Sequence, residues 1–323
     1  MLRRTLRIAL YLLAMVVAVV AGGLVYLFAA FPRLAPPPIL EVPRTPERIA
    51  RGAYLSRHVV GCSDCHGERD WTKYSAPQMR DREGHGGMAF RIGVGTLYAP
   101  NITPARLSTW SDGEVLRAMT GGVSKDGSPM FPLMPYDAYR QMSREDAESV
   151  IAFVRTLPAA AREVPPSELD FPFNLLVRTM PSPAPPLPEK APDSSDRLSY
   201  GKYLTTLASC VTCHTKMERG QAVPGMAFAG GLEFRTRLGD VQYSANITPD
   251  PETGIGQWTM AQFVARFKVV AEADEASLAL NGRKNTEMPW RDFGGMKTED
   301  LEAIFTYLRT VPPVRHAVTP RGS

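Results

Sequence analysis

The sequence has few cysteines and little net charge. Only four of its 323 residues are cysteine and only five are histidine. A secreted scaffold held together by disulfides would be shorter and richer in cysteine, so these cysteines are expected to bind something. The net charge is +4, and three arginines within the first seven residues supply most of it. The remainder lacks the basic patch or stripe of a nucleic-acid-binding surface.

Charge is also absent from the 24 residues Ile8–Phe31. This run exceeds the roughly 7–15 residues of a signal-peptide core and suffices for a spanning helix, which needs about 20. The preceding arginines favour the cytoplasmic side, which sends the rest of the chain outward. We therefore predict an anchor over residues 1–31, with a single span in the inner (cytoplasmic) membrane and the bulk of the chain on the periplasmic side. A cleaved signal peptide is the alternative. The proline-rich residues 32–46 are expected to form a stiff spacer.

The rest of the chain repeats itself. The cysteine motifs of the two copies begin at Cys62 and at Cys210, which are 148 residues apart. Each copy has the size of a domain. We define residues 47–158 as repeat 1 and residues 196–313 as repeat 2, with a tail over residues 314–323. The matching landmarks, in order, are Gly52-Ala-Tyr-Leu55 and Gly201-Lys-Tyr-Leu204, Cys62-Ser-Asp-Cys-His66 and Cys210-Val-Thr-Cys-His214, Gly86-Gly87 and Gly230-Gly231, Asn101-Ile-Thr-Pro104 and Asn246-Ile-Thr-Pro249, and Met134-Pro-Tyr136 and Met288-Pro-Trp290.

A proline-rich strap over residues 159–195 joins the repeats. It contains an apolar stretch, residues 169–177, which a free linker would not need. The strap is therefore expected to pack against one or both repeats, with a short helix over residues 173–180.

Both repeats are predicted to be helical. A helix over residues 47–60 precedes the first cysteine pair, and helices over 111–120 and 259–271 begin at a serine or threonine that can cap them. The last helix of repeat 1 starts at Ser143, and its apolar residues recur at helical spacing, as they do in repeat 2. The fold class is thus all-α, with two tandem domains behind an N-terminal transmembrane helix.

The motif Cys-x-x-Cys-His is the attachment signal for c-type haem. Two thiols three residues apart can form thioethers with both vinyl groups on one porphyrin edge, and the next histidine can then ligate the iron. A structural zinc site would need its second ligand pair within about 20 residues, and a thioredoxin-like pair needs a βαβ pattern. We therefore predict two covalently bound haem c groups (iron), one on Cys62, Cys65 and His66 and the other on Cys210, Cys213 and His214.

A methionine sulfur is the usual sixth ligand opposite histidine in cytochromes c. Two pairs of methionines occupy matching positions in the repeats, Met134 with Met288 and Met142 with Met296. The first pair lies in proline-stiffened loops that can cover the distal haem face, whereas the second lies at helix starts, where core packing explains it. The predicted metal ligands are therefore His66, Met134, His214 and Met288.

Other residues have less specific patterns. Asn101 and its copy could donate to haem propionates or form a polar turn. Trp110 and Trp258 could line the pocket or fill the core. His58, His85 and His316 have no counterpart in the other repeat and are expected at the surface.

These motifs resemble the cytochrome c subunits of membrane-bound bacterial alcohol, sugar and polyol dehydrogenases, which are quinoproteins or flavoproteins. The segment from Asn246 to Trp258 and the Met-Pro-aromatic loops carry most of the resemblance, which covers both repeats. It implies two all-α cytochrome c domains with His and Met axial ligands. Subunits of that family usually have three such modules, whereas this chain has two and an N-terminal anchor.

Two haem-attachment motifs in one exported chain are compatible with three functions. An electron-transfer protein, not itself an enzyme, would take electrons from a dehydrogenase and pass them to a quinone, a cytochrome or an oxidase in a respiratory chain. A di-haem peroxidase would need one haem that opens to peroxide, with His85 as a displaceable ligand. A redox sensor would need a signalling domain, and none is visible. The matching methionine loops favour the first function.

Overall fold

The computed structural model describes residues 2–33, 35–183, 185–235 and 239–319. Helices make up 42% of the chain, but the prediction of an all-α fold is correct only in part, because short strands are also present. The helices are α1 (Leu2–Ala30), α2 (Pro46–Tyr54), α3 (Cys62–His66), α4 (Pro104–Leu107), α5 (Asp112–Gly121), α6 (Tyr136–Tyr139), α7 (Arg144–Val154), α8 (Phe173–Leu176), α9 (Arg197–Leu207), α10 (Cys210–Cys213), α11 (Met260–Ala271), α12 (Trp290–Gly294) and α13 (Thr298–Leu308).

The strands form small antiparallel sheets beside the glycine-rich loops. They are β1 (Ala89–Arg91), β2 (Gly95–Tyr98), β3 (Glu168–Leu169), β4 (Met217–Glu218), β5 (Gln221–Ala222), β6 (Glu233–Arg235) and β7 (Val241–Tyr243). The sheets have the order β1-β2-β3, β4-β5 and β6-β7. Each strand has two to four residues, too few for alternation to be recognised in the sequence. A π-helical turn over Leu55–Val59 extends α2, and a 3₁₀ turn over Val177–Thr179 extends α8.

The predicted helix starts agree with the observed caps. Ser111 accepts a hydrogen bond from the N–H of Glu114 at 3.1 Å, and the carboxylate of Glu114 accepts one from the N–H of Ser111 at 2.7 Å. Thr259 forms the same reciprocal box at the start of α11. Ser143 caps α7. These side chains satisfy backbone donors that otherwise have no partner in the first helical turn.

In each repeat, the first and last helices cross at a glycine. A Cβ atom on Gly52 of α2 would lie 1.8 Å from the carbonyl oxygen of Ser149 in α7. A Cβ atom on Gly201 of α9 would lie 1.9 Å from the carbonyl oxygen of Ala303 in α13. The helix backbones are therefore in direct contact, and only glycine permits this approach.

The two repeats contact each other through a reciprocal pair of tyrosines. Tyr203 of repeat 2 donates to Oδ2 of Asp146 at 2.7 Å, in the first turn of α7. Tyr54 of repeat 1 donates to Oδ2 of Asp300, in the first turn of α13. Both tyrosines belong to the Gly-x-Tyr-Leu landmarks. A continuous cluster of buried apolar side chains runs through both repeats.

The strap and the spacer both pack on repeat 1. Strand β3 of the strap pairs with β2, and Val177 is buried. The spacer is extended, as predicted, but Val42 is buried and its N–H donates to Asp112 at 2.9 Å. The spacer therefore lies along repeat 1 instead of forming a free-standing link to the anchor. Helix α1 has no buried residue, and Arg178 of the strap donates to the carbonyl of Phe31, just beyond its end, at 2.7 Å.

Candidate haem-binding sites

Both cysteine motifs lie in a short helical turn that follows a left-handed residue. Gly61 precedes α3 with φ 64°, and Ser209 precedes α10 with φ 54°. The same backbone kink therefore introduces both motifs, although only the first uses the residue that adopts it without strain. All four cysteines are free thiols. Within one helical turn, the two sulfurs of each motif lie on one side of the backbone, where a single group can bind both.

The thiols are held in their protonated form. Burial raises the pKa of Cys62, Cys65 and Cys210 to about 12. Metal coordination and nucleophilic attack both use the thiolate. Among the described residues, no group of three or more His, Cys, Asp or Glu side chains is arranged to hold a metal ion. Burial therefore disfavours the thiolate that a reactive cysteine would need.

The motif histidines make the same backbone hydrogen bond in the two repeats. Nδ1 of His66 donates to the carbonyl of Pro100 at 2.8 Å, and Nδ1 of His214 donates to the carbonyl of Ala245 at 2.8 Å. Burial lowers the pKa of both histidines. Each ring is therefore neutral with its proton on Nδ1, which leaves the Nε2 lone pair available to a metal. A backbone carbonyl that orients the ring in this way is typical of metal-ligating histidines.

One glycine in each repeat fixes the backbone of the motif histidine. The N–H of Gly86 donates to the carbonyl of His66 at 2.9 Å, and the N–H of Gly230 donates to that of His214 at 2.8 Å. Gly86 and Gly230 have φ values of 72° and 73°. L-residues rarely adopt this conformation, which explains why both repeats have glycine here.

The Asn-Ile-Thr-Pro segments support the histidines from the other side. Oδ1 of Asn101 accepts from the N–H of Thr103 at 2.8 Å and from its hydroxyl at 2.7 Å. Nδ2 of Asn101 donates to the carbonyl of Ala160 at 2.7 Å, beyond the last helix. Asn246 repeats this arrangement. The proposed donation to haem propionates is not supported, because these buried groups are used to fix the loop that carries the carbonyl of Pro100.

The structure separates the two methionine pairs. Met142 and Met296 are fully buried in the core, with 0% and 2% of their surfaces exposed. Met134 and Met288 are half-buried in the loops before α6 and α12. The core positions of Met142 and Met296 agree with the packing role predicted for them. Met134 and Met288 remain the candidates for axial ligands.

Several secondary predictions need correction. Trp258 is 38% exposed and is therefore not a core tryptophan, whereas Trp110 is half-buried and packs against the core. His58 and His316 are not surface residues, because each is half-buried with Nδ1 within 2.9 Å of a backbone carbonyl. The carbonyl beside His58 belongs to repeat 2. His85 is half-buried in the glycine-rich loop. The sequence alone could not reveal these contacts, which join distant segments.

The donor set of each repeat suits haem c. Two neighbouring thiols can form thioethers, and a neutral histidine with a free Nε2 can occupy one axial position. A methionine in a proline-stiffened loop is available for the other. The two sets are also linked, because Nδ1 of His58, four residues before Cys62, lies 2.8 Å from the carbonyl oxygen of Asp292, four residues after Met288.

No family model matches the chain, but curated proteins are similar to most of it. It is 26% identical to the cytochrome c subunit of a quinone alcohol dehydrogenase from Gluconacetobacter polyoxogenes, over 88% of this chain and 61% of the relative. It is 28% identical to the fructose dehydrogenase cytochrome subunit of Gluconobacter japonicus, over 82% of this chain and 52% of the relative. The chain is similar to dehydrogenase cytochrome c subunits. It spans only about half to three-fifths of the length of these two.

A third relative is closer in length. The chain is 27% identical to a protein from Cereibacter sphaeroides named a diheme cytochrome c-type, over 79% of this chain and 83% of the relative. All three relatives are named as cytochromes, and the first two are named as subunits of dehydrogenases. Their names imply covalently bound haem c, as the two cysteine motifs predict.

Proposed function

We propose that this chain is a membrane-anchored di-haem c-type cytochrome. It accepts electrons from a dehydrogenase outside the cytoplasmic membrane and passes them to a quinone, a cytochrome or an oxidase. The observation that carries this proposal is the twofold occurrence of one geometry, a free thiol pair followed by a neutral histidine whose Nδ1 donates to a backbone carbonyl. The names of the relatives support electron transfer.

In this proposal the same residue types have the same roles in both repeats. Cys62 and Cys65 form the thioether bonds in repeat 1. Cys210 and Cys213 form them in repeat 2. His66 and His214 ligate the irons through Nε2. The thioethers of Met134 and Met288 complete the ligation, and they favour the ferrous state. The bound haems supply reversible one-electron chemistry, and the chain holds them and excludes other ligands.

Complete ligation separates a carrier from a peroxidase. The Met-Pro-aromatic loop has the same turn in both repeats, with the carbonyl of Met134 or Met288 accepting from the N–H two residues later, at 2.7 and 2.8 Å. Neither repeat is therefore distinguished as the one that opens to peroxide. An external ligand would first have to break an iron–sulfur bond.

Carbon monoxide binding tests this assignment. The reduced native protein is expected to react little with carbon monoxide. Hydrogen peroxide should oxidise it slowly and without catalytic turnover. Met134→Ala should expose the first iron, so that half of the haems bind carbon monoxide in a spectroscopic titration. Met142→Leu is the matched control, because it keeps the volume of a buried methionine and should leave both haems closed. Rapid binding by the native protein, or catalytic peroxide consumption, would contradict the carrier assignment.

The anchor proposal rests on α1. Its 29 residues reach a mean hydropathy of 2.7 over 18 residues, none of which is buried against the rest of the chain. Its charged residues are confined to its first turns, as the positive-inside rule requires for an outward-facing bulk. Both an anchor and a signal sequence can have these properties.

Fractionation separates these two possibilities. The native protein is expected to stay in the membrane fraction after washing with high salt, because hydrophobic insertion is not screened as charge interactions are. Detergent should then release it with α1 intact, as its N-terminal sequence or intact mass would show. Recovery from the soluble periplasmic fraction, with an N-terminus beyond Ala30, would identify α1 as a cleaved signal peptide.

A further inference from the structure

A loop of repeat 1 reaches into repeat 2. It comprises residues Trp71–Ala76, which follow the first cysteine motif. The N–H of Tyr74 donates to the carbonyl of Leu278 in repeat 2 at 2.7 Å. Both side chains are buried in one small apolar cluster, and Ser75 is completely buried. The loop is therefore an integral part of the structure around the second site.

The loop is hydrogen-bonded to the backbone of Met288, the proposed ligand of the second haem. The hydroxyl of Ser75 donates to the carbonyl of Met288 at 2.9 Å. Oδ1 of Asn285 accepts from the N–H of Ser75 at 2.8 Å, and Nδ2 of Asn285 donates to the carbonyls of Trp71 at 3.1 Å and Lys73 at 3.0 Å. Asn285 is 4% exposed. These hydrogen bonds fix the Met288 loop from outside its own repeat.

The conformation of the loop is costly. Ser75 has φ 65° and Ala76 has φ 41°, in the left-handed region that disfavours residues with a Cβ atom. Arg69 stabilises this arrangement by donating to the carbonyls of both residues at 2.8 Å. Backbone held in such a conformation is found where surrounding contacts require it, often at a functional site. Here it aims the hydroxyl and N–H of Ser75 at repeat 2.

Repeat 2 has no equivalent loop. Its counterpart is the exposed hairpin β4-β5, and the segment from His214 to Gly230 is four residues shorter than that from His66 to Gly86. The hairpin β4-β5 pairs with itself, whereas the loop of repeat 1 bonds to the carbonyl of Met288.

We infer that Ser75 and Asn285 are positioning residues for Met288, so that ligation of the second haem depends on repeat 1. This inference rests on the proposed function, in which Met288 is the sixth ligand. The iron–sulfur bond competes with opening of the loop. A loop tied at its carbonyl to a buried hydroxyl opens less often, so the sulfur stays on the iron.

Imidazole binding to the oxidised full-length protein in detergent measures this opening. In a Met134→Ala background the first haem binds imidazole at once, and the slow phase reports the second. Ser75→Ala is expected to accelerate the slow phase about fivefold, as loss of one hydrogen bond worth about 1 kcal/mol would. During imidazole binding, the sulfur-to-iron absorption that remains in this background should disappear at the same rate as the slow phase. Ser128→Ala is the matched control, because its hydroxyl bonds only within repeat 1.

A second variant separates positioning from general stability. Ser75→Gly removes the same hydroxyl but adopts φ 65° without strain. It should accelerate imidazole binding as much as Ser75→Ala, while lowering the denaturant midpoint less. In a Met288→Ala background, neither variant should change imidazole binding to the first haem.

Two results would overturn the inference, and they differ. If Met288→Ala removes half of the sulfur-to-iron absorption but the slow phase of Ser75→Ala matches its parent, the ligand assignment stands and the positioning role is wrong. If Met288→Ala leaves that absorption unchanged, Met288 is not the ligand, and the proposed ligation fails together with the inference.

Discussion

Replacing both Cys62 and Cys65 by alanine is expected to leave one haem per chain. Covalent attachment in repeat 1 would then be impossible, and His66 alone cannot retain the group through denaturation. Repeat 2 has its own thiols, histidine and methionine, so its haem should remain. The haem that survives acid–acetone extraction, measured against protein concentration, should fall to half.

The chain offers close controls for this experiment. Replacing Cys210 and Cys213 by alanine should also halve the haem content, and replacing all four cysteines should abolish it. Ser63→Ala lies between the first two cysteines and removes a hydrogen bond to Glu83 at 2.7 Å, but it should retain both haems. Two covalent haems on the chain that lacks Cys62 and Cys65 would show that these thiols are not the attachment points.

Gly201→Ala is expected to destabilise the protein strongly. The added methyl group would lie 1.9 Å from the carbonyl oxygen of Ala303, so α9 and α13 would have to separate. Forcing atoms into a packed contact costs about 1–3 kcal/mol, and more where backbone must move. Alanine is favoured over glycine within a helix by about 1 kcal/mol, so intrinsic propensity predicts the opposite sign. The denaturant midpoint of the full chain should therefore fall.

Lys202→Ala tests whether the position, and not the helix, is responsible. Lys202 is the next residue of α9 and is exposed. Its substitution should leave the midpoint within error of the native value, whereas Gly52→Ala in repeat 1 should lower it as Gly201→Ala does. An unchanged or raised midpoint for Gly201→Ala would mean that the two helices do not cross at this residue.

The sequence predicted the parts of the fold that depend on local signals. Ser111 and Thr259 are followed three residues later by Glu or Gln, so each helix start is encoded within four residues. The repeat also separated the methionines, because a core role for Met142 and Met296 leaves two loop methionines in matching positions. The strands were missed because they are short and depend on the glycine turns beside them.

The contacts between the repeats could not be predicted. Ser75 and Met288 are far apart in the sequence, and nothing around Ser75 identifies a partner. The hydrogen bond from His66 is accepted by the backbone carbonyl of Pro100. Every residue type has such a carbonyl, so the sequence does not identify the acceptor. The contacts of Asn101 could not be predicted for a related reason, because the sequence indicated a polar turn but not which groups the amide would contact.

The covalent haem content of the native chain tests the account most directly. Intact-mass measurement of the denatured protein should show two haem groups per chain. Proteolysis should then locate one on the peptide that contains Cys62–His66 and the other on the peptide that contains Cys210–Cys213 and His214. One haem, none, or a haem released by denaturation would contradict the central claim that each repeat holds its own covalently bound haem.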